Sequence, residues 1–244
     1  MMHLTPTWHA PNNIGALSTT RAGGFSTPPF SSLNLGLHVG DNQQHVQANR
    51  QLIVEKYLPA NPVWLNQVHS SDVIMVDEHF DHSTVLTGDA LFTRQHNQPL
   101  AIMTADCLPI LLSTRCGSEI AAIHGGWRGL NAGIIANTVS KFSFPSSDII
   151  AWLGPAIGAQ QFEVGAEVKA RFIEQSAEYE QAFKLLNANK YLLDIYAIAR
   201  LQLRQTGVKT FSGGEHCTVS QPEMFFSYRR DGKTGRMASL IWRK

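Results

Sequence analysis

A mixed α/β (α+β) fold, with a buried mixed β-sheet core flanked by helices, is the architecture this sequence predicts. Three observations predict it. The runs LAIMTADCLPILL (100–112), EIAAIH (119–124) and DIIAWLG (148–154) are almost continuously apolar, as strands buried on both faces are. Around them apolar residues recur at helical spacing. No repeat, low-complexity tract or linker-like stretch divides the chain, so one domain over 1–244 is expected.

The elements follow in order. Asp41 is placed to cap a helix over 42–57, with Gln44 reaching back and Val46, Leu52, Ile53 and Tyr57 on one side. PVWLNQVH (62–69) and DVIMVD (72–77) are separated by two serines and are expected to pair. Within 100–112, Pro109 cannot donate to a ladder, which predicts an interruption there. Leu130, Ile134, Ile135, Val139 and Phe142 mark a second helix, and Val164, Val168 and Phe172 a third. Asp194 caps a fourth, which Gly207 stops.

Composition narrows the function. Charged residues are only 16% of the chain and the formal net charge is +1, which leaves no electrostatic footprint for nucleic acid or an anionic membrane. A small-molecule partner is expected, and no protein partner is predicted. The amino end, MMHLTPTWHAPNNIG, lacks a basic start followed by an apolar core. No apolar run approaches the roughly 20 residues of a membrane span. Three cysteines are poor material for a disulfide framework, so a cytoplasmic protein is expected.

Three soft or borderline ligands end or interrupt the apolar runs: His69 closes WLNQVH, Cys107 lies inside MTADCLP, and His124 closes AAIH. Their spacing matches no local metal motif. Core packing explains a lone cysteine, and a plain hydrogen bond explains a histidine at a strand end. Taken together, two histidines and one thiolate have the composition of a catalytic zinc site with an open position, and also of one type of mononuclear copper site. Asp106 beside Cys107 needs either solvent or a cationic partner. After His124, Gly125 and Gly126 allow close approach of a ligand, and Arg128 at the start of the following helix suits a phosphate. Cys116 and Cys217 lack such neighbourhoods and read as structural.

Several of these stretches resemble a known family. NQVH, TADC and HGGWRG, with WLGPAIG, FFSYRRDGKTGRMASLIW, TTRAGGFS and SLNLGLHVGD, resemble the YfiH/laccase-domain family, also called the multicopper polyphenol oxidase or purine nucleoside phosphorylase family. The likeness runs over roughly residues 19 to 242. It implies a mixed α/β fold and a zinc held by His69, Cys107 and His124. It also implies phosphorolysis of adenosine, inosine, guanosine and methylthioadenosine, with deamination of adenosine; some bacterial relatives are linked to peptidoglycan editing. Ser70, Gly125, Ala159 and Gln160 depart from the commonest family pattern, and none of these changes removes a ligand.

A blue multicopper centre needs paired H-x-H ligands, and the chain has none, though a single copper at the same site is compatible with the donors. For phosphorolysis, Arg21 and Arg128 are the expected phosphate contacts, ahead of Arg229 and Arg230; Asn34 and Gln67 are expected to bond sugar or base. For proton transfer Asp106 is the first choice, followed by Glu163 and Asp89. A metal-free Cys–His hydrolase of peptidoglycan precursors, with Cys107 as nucleophile, is the rival enzyme reading. A non-catalytic metal-binding regulator is the third.

Overall fold

A computed structural model describes residues 2–244. Along the chain the strands and helices are β1 (His3–Leu4), β2 (Ile14–Thr19), α1 (Gln43–Tyr57), β3 (Val73–Val76), β4 (Ala90–Thr93), β5 (Leu100–Thr104), β6 (Leu108–Thr114) and β7 (Ile120–Gly125). They continue with α2 (Trp127–Asn131), α3 (Ile134–Val139), β8 (Ile149–Leu153), β9 (Glu163–Gly165), α4 (Ala166–Gln175), β10 (Phe183–Asn187), β11 (Lys190–Leu193), α5 (Ile195–Gln205), β12 (Thr210–Gly213), α6 (Tyr228–Asp231) and β13 (Met237–Arg243).

Two sheets stack at the centre. One has the order β12-β8-β6-β7-β4-β3 and the other β1-β2-β13-β5. The larger sheet is mixed: β12 with β8 and β3 with β4 run parallel, while β6 is antiparallel to both β7 and β8. Alternation along its strands divides the core. Ile110, Leu112, Ala121, Ile123, Ala151 and Leu153 face a layer that includes Ile134 and Ile135 of α3 and Ile198 and Leu203 of α5. Leu111, Ala122 and Trp152 face the other way, against Leu100 and Ile102 of β5 and Ile241 of β13. The far side of the smaller sheet, with Leu17, Ala101 and Leu240, is covered by Ile53 of α1 and by Leu33 and Leu35. Helix, sheet, sheet and helix thus follow in layers, so both sheets are covered on both faces, and their strands read as continuous apolar runs. A small third sheet, β10-β11-β9, lies outside this stack.

The expected mixed α+β fold is therefore the observed one, with local corrections. The first helix is capped by Asn42, whose side chain accepts from Gln44 N at 2.8 Å; Asp41 instead accepts from Asn34 and Asn42. The second helix is two short ones, because Gly133 adopts a φ of 86° between α2 and α3. Val164 belongs to β9, and α4 begins only at Ala166. Asp194 caps α5 as expected, accepting from Ala197 N at 2.9 Å. Segment 62–69 does not pair with β3. It forms isolated bridges, Val63 with Leu100 and Asn66 with Thr87, while β3 pairs with β4.

The long run 100–112 is two strands in two different sheets. β5 belongs to the smaller and β6 to the larger, and residues 105–107 carry the chain across. Asp106, at a φ of 103°, makes that crossing. Pro109 sits opposite His124 in the β6–β7 ladder, and pairing with β8 begins one residue later at Ile110. The missing N–H is thus tolerated near the start of the strand, and the break lies before Pro109.

Candidate metal centre and its cavity

The crossing between the sheets creates the site. Cys107 lies on it, His124 is the penultimate residue of β7, and His69 ends the extended segment before β3. One donor atom from each of these residues lies within 4.8 Å of the other two. Cys107 Sγ is 3.6 Å from His69 Nε2, and the two imidazoles meet edge to face with centroids 4.7 Å apart.

Asp89, just before β4 and fully buried, organises both histidines. Its Oδ1 is 2.7 Å from His124 Nδ1 and accepts from the backbone N–H of His69 at 3.0 Å. Its Oδ2 accepts from Ser70 N at 2.6 Å and Val68 N at 3.2 Å. These bonds hold the 68–70 turn, where His69 has a φ of 63°. With Nδ1 engaged, His124 presents Nε2 toward Cys107, the arrangement in which a ligating imidazole is oriented by a carboxylate behind it.

The electrostatics follow from this packing. Burial raises the carboxyl pKa of Asp89, but the His124 and Ser70 hydrogen bonds outweigh it and hold the group down at about 2. Burial likewise pushes the Cys107 thiol up, yet His124 and His69 bring it down to about 6. His124 moves the other way, opposed by burial but raised by the Cys107 charge and by Asp89 to about 9. In the absence of metal, both shifts run toward a thiolate beside an imidazolium.

The donors fit a metal ion. Nitrogen, nitrogen and sulfur converge, and a Cβ at Gly126 would stand 2.5 Å from His69 Cδ2 and 3.3 Å from Cys107 Sγ, so glycine keeps the cradle open. Three protein ligands leave a coordination position for water or substrate.

The triad lines a cavity of about 550 Å³. Of the other residues singled out from sequence, Asp106, Gln67, Arg128 and Arg229 also line it, whereas Arg21, Asn34, Arg230, Glu163 and Asp89 do not. Gln67 is closed on itself against the backbone of Met103, donating to its O and accepting from its N, both at 2.8 Å. Asp106 Oδ1 accepts from Thr218 Oγ1 and Oδ2 from Arg229 N, both at 2.6 Å. Arg128 is exposed and stacks on Trp127 at 4.5 Å. The helix it belongs to, α2, has only five residues. Arg21 donates to Ser31 O and Pro222 O, and buried Asn34 bonds Gly36, Asp41 and Arg236 N. Glu163 pairs with Lys190 at 3.1 Å.

Sequence reading assigned no role to His38, Phe162 or Arg236, which also line the cavity. Asp89, which sequence alone marks only as a candidate proton carrier, takes its orienting position through tertiary contacts.

The model of the multi-copper polyphenol oxidoreductase laccase family matches residues 15–244. The chain belongs to that family. Among members of the family, an Escherichia coli (strain K12) protein named purine nucleoside phosphorylase YfiH is 48% identical over 241 residues, covering 98% of each chain. A Haemophilus influenzae purine nucleoside phosphorylase is 46% identical, with 99% of each covered. The crystal structure of a Neisseria meningitidis member has a TM-score of 0.96 at 45% identity over 100% of both chains. That of Bacillus licheniformis YfiH scores 0.90 at 33% identity, covering 96% of this chain and 94% of its own.

Proposed function

We propose that this family member is a zinc-dependent purine nucleoside phosphorylase, acting on adenosine, inosine, guanosine and methylthioadenosine, with adenosine deamination as a side activity. The observation that supports it is the His69–Cys107–His124 triad opening into a cavity of about 550 Å³, in a chain nearly half identical to relatives bearing that name.

In phosphorolysis the bond between C1′ and the base nitrogen breaks, its electron pair leaving with the base. A phosphate oxygen takes its place at C1′, and the base gains a proton. His69, Cys107 and His124 would hold the zinc, which when bound would supply Lewis-acid polarisation. The other parts belong to the chain itself. Trp127 and Phe162 give the base an apolar aromatic wall. Arg128, exposed at the cavity, offers charge to incoming phosphate. Asp106, held by Thr218 and Arg229 at the cavity wall, is the carboxylate to which this reading gives the proton. In deamination, water replaces the amino group at C6, giving inosine and ammonia. A reducing compartment such as the cytoplasm suits the site, because Cys107 must remain a thiol to bind metal.

One observation favours a second reading. Cys107, His124 and Asp89 stand in the order of nucleophile, base and orienting acid, as in a metal-free Cys–His hydrolase acting on peptidoglycan precursors. His69 separates the two: the hydrolase does not need it, and the metal centre does.

The test uses protein stripped of metal and reloaded with zinc or copper, incubated with adenosine or inosine with and without phosphate. Free base and ribose 1-phosphate, formed only with phosphate and abolished in Cys107→Ala and His69→Ala, are expected. No nucleoside consumption under either metal overturns the proposal. Full activity in His69→Ala transfers it to the hydrolase, and phenol oxidation confined to the copper-loaded protein assigns a copper oxidase instead.

A further inference from the structure

Charge in the cavity is unbalanced. Among its described lining residues Asp106 is the one carboxylate, and both of its oxygens are bonded. Against it and the Cys107 sulfur, which belongs to the metal site, stand Arg128, Arg229 and Arg236, and the His38 imidazole lines the cavity beside them. Two of these guanidiniums have occupations. Arg128 lies on Trp127, and Arg229 donates to Gln161 O and Glu163 O while crossing Phe162.

Arg236 differs. It is partly buried, and its Nη1 donates only to Thr234 O and Gly235 O of its own loop, at 3.1 Å each. Among the described residues, neither its Nε nor its Nη2 has an acceptor, and no carboxylate pairs with it. A guanidinium partly drawn out of water with two of its nitrogens unbonded is completed by an anion that accepts from them. Arg50 adds a second cation nearby, bonded to Leu35 O and Met103 Sδ and stacked 3.9 Å from the Trp64 ring, again with no carboxylate partner. The pKa of His38 is pushed down by burial and then by Arg236 and Arg50, which places a neutral imidazole beside two guanidiniums; Cys107 and Asp106 are the negative groups that attract Arg236, and neither bonds its fork.

The local backbone is built to hold Arg236 there. Buried Asn34 accepts from Arg236 N at 2.9 Å, and Leu35 N donates to Arg236 O at 3.1 Å. A Cβ at Gly36 would stand 2.8 Å from Arg236 Cγ, so the stem of the arginine packs directly on the 34–36 turn. That turn fixes the side chain from behind and leaves the fork to the cavity.

We infer that Arg236, with His38 beside it, is the seat of the tetrahedral oxyanion, inorganic phosphate, in this cavity. The inference rests on the phosphorylase reading for its role in turnover, and the binding site itself is testable without turnover. Arg128 draws the anion toward the cavity, and Arg236 holds it with charge-assisted hydrogen bonds.

The experiment titrates inorganic phosphate into the zinc-loaded full chain and its Arg236→Gln, Arg236→Lys and His38→Gln variants by calorimetry, with zinc content and inosine affinity measured in parallel. Arg236→Gln is expected to weaken phosphate at least about tenfold, with Arg236→Lys intermediate and His38→Gln weakened by about threefold. Inosine affinity and zinc content stay as in the wild type. Added guanidinium partly restores phosphate binding to Arg236→Gln. Unchanged phosphate affinity in Arg236→Gln, or no phosphate binding by the wild type, overturns the inference even if nucleosides are cleaved. Phosphate binding that depends on Arg236 without any nucleoside cleavage leaves the inference standing and overturns the phosphorylase reading. If Arg236→Gln fails to fold, unchanged phosphate affinity in both Arg236→Lys and His38→Gln overturns the inference.

Discussion

Asp89 Oδ1 stands 2.7 Å from His124 Nδ1 and also accepts the backbone N–H of His69, so one buried oxygen orients two of the three candidate ligands. This predicts that Asp89→Asn damages metal binding without touching a ligand. The amide can place only one oxygen where the carboxylate places two, and its NH₂ group faces N–H donors. Zinc affinity is expected to fall about 10–100-fold, read by competition with a chromogenic chelator. Wild-type affinity in the variant refutes the orienting role.

The same carboxylate sets an acid limit on stability. Its pKa is depressed to about 2, so its contribution is fully present above the unfolded value and is lost as pH falls toward 2. The drop from an unfolded pKa near 3.9 corresponds to about 2.6 kcal/mol in full, of which about 2 is lost by pH 2. The stability gap between metal-free wild type and Asp89→Asn, measured by urea unfolding, should therefore shrink by about 2 kcal/mol between about pH 5 and pH 2. A gap that does not change with pH excludes this linkage.

Cys107 offers a second pH signature. With its pKa lowered to about 6, metal-free protein should alkylate with iodoacetamide at a rate that rises through about pH 6 and then levels. His124→Ala removes the main attractive partner and is expected to move that midpoint upward. Cys116 also has a lowered thiol pKa and is exposed, so the labelled site must be identified by peptide mapping.

How much of this was legible beforehand depended on which contacts are local. The runs around Ile110, Ile123 and Ile150 announce strands because each strand is covered on both faces, and the Asp194 cap is a contact over three residues. The apolar run 100–112 conceals a change of sheet, since the strands on either side of residues 105–107 are both buried, and the φ of 103° at Asp106 marks the turn. Segment 62–69 alternates as a strand should, with Val63 and Leu65 buried, but its expected partner pairs elsewhere. The three donors stood out because soft ligands interrupt apolar runs. Asp89 is legible only as a candidate for proton transfer, and Arg236 not at all, because a carboxylate orienting His124 from 35 residues away, and an arginine held by an asparagine 202 residues away, carry no local pattern.

Tyr196 ties together segments that adjoin the cavity-lining Ile157 and Ile195. Its hydroxyl accepts from Ala156 N at 2.8 Å and lies 3.1 Å from Gly154 O and 2.9 Å from His216 O, joining the 154–156 turn to the segment before Cys217. Burial raises its phenol pKa, so the group stays a neutral donor. Tyr196→Phe leaves the buried Ala156 N–H unpaired and is expected to cost about 1–3 kcal/mol in denaturant unfolding. No measurable loss would mean that the two segments hold together without it.

Gly126 is the sharpest steric test of the centre. An added Cβ would lie 2.5 Å from His69 Cδ2 and 3.3 Å from Cys107 Sγ, and the backbone there, at a φ of −66°, is open to alanine. The conflict is therefore with the ligand side chains alone. His69 can yield by rotating away, at the expense of the convergence that a metal needs. Gly126→Ala is accordingly expected to keep its far-ultraviolet circular dichroism while zinc affinity falls at least about tenfold, a loss of roughly 1.4 kcal/mol. If zinc binds unimpaired in a correctly folded Gly126→Ala, His69 and Cys107 do not converge on one ion. The thiolate–imidazolium pair would then stand as the functional unit.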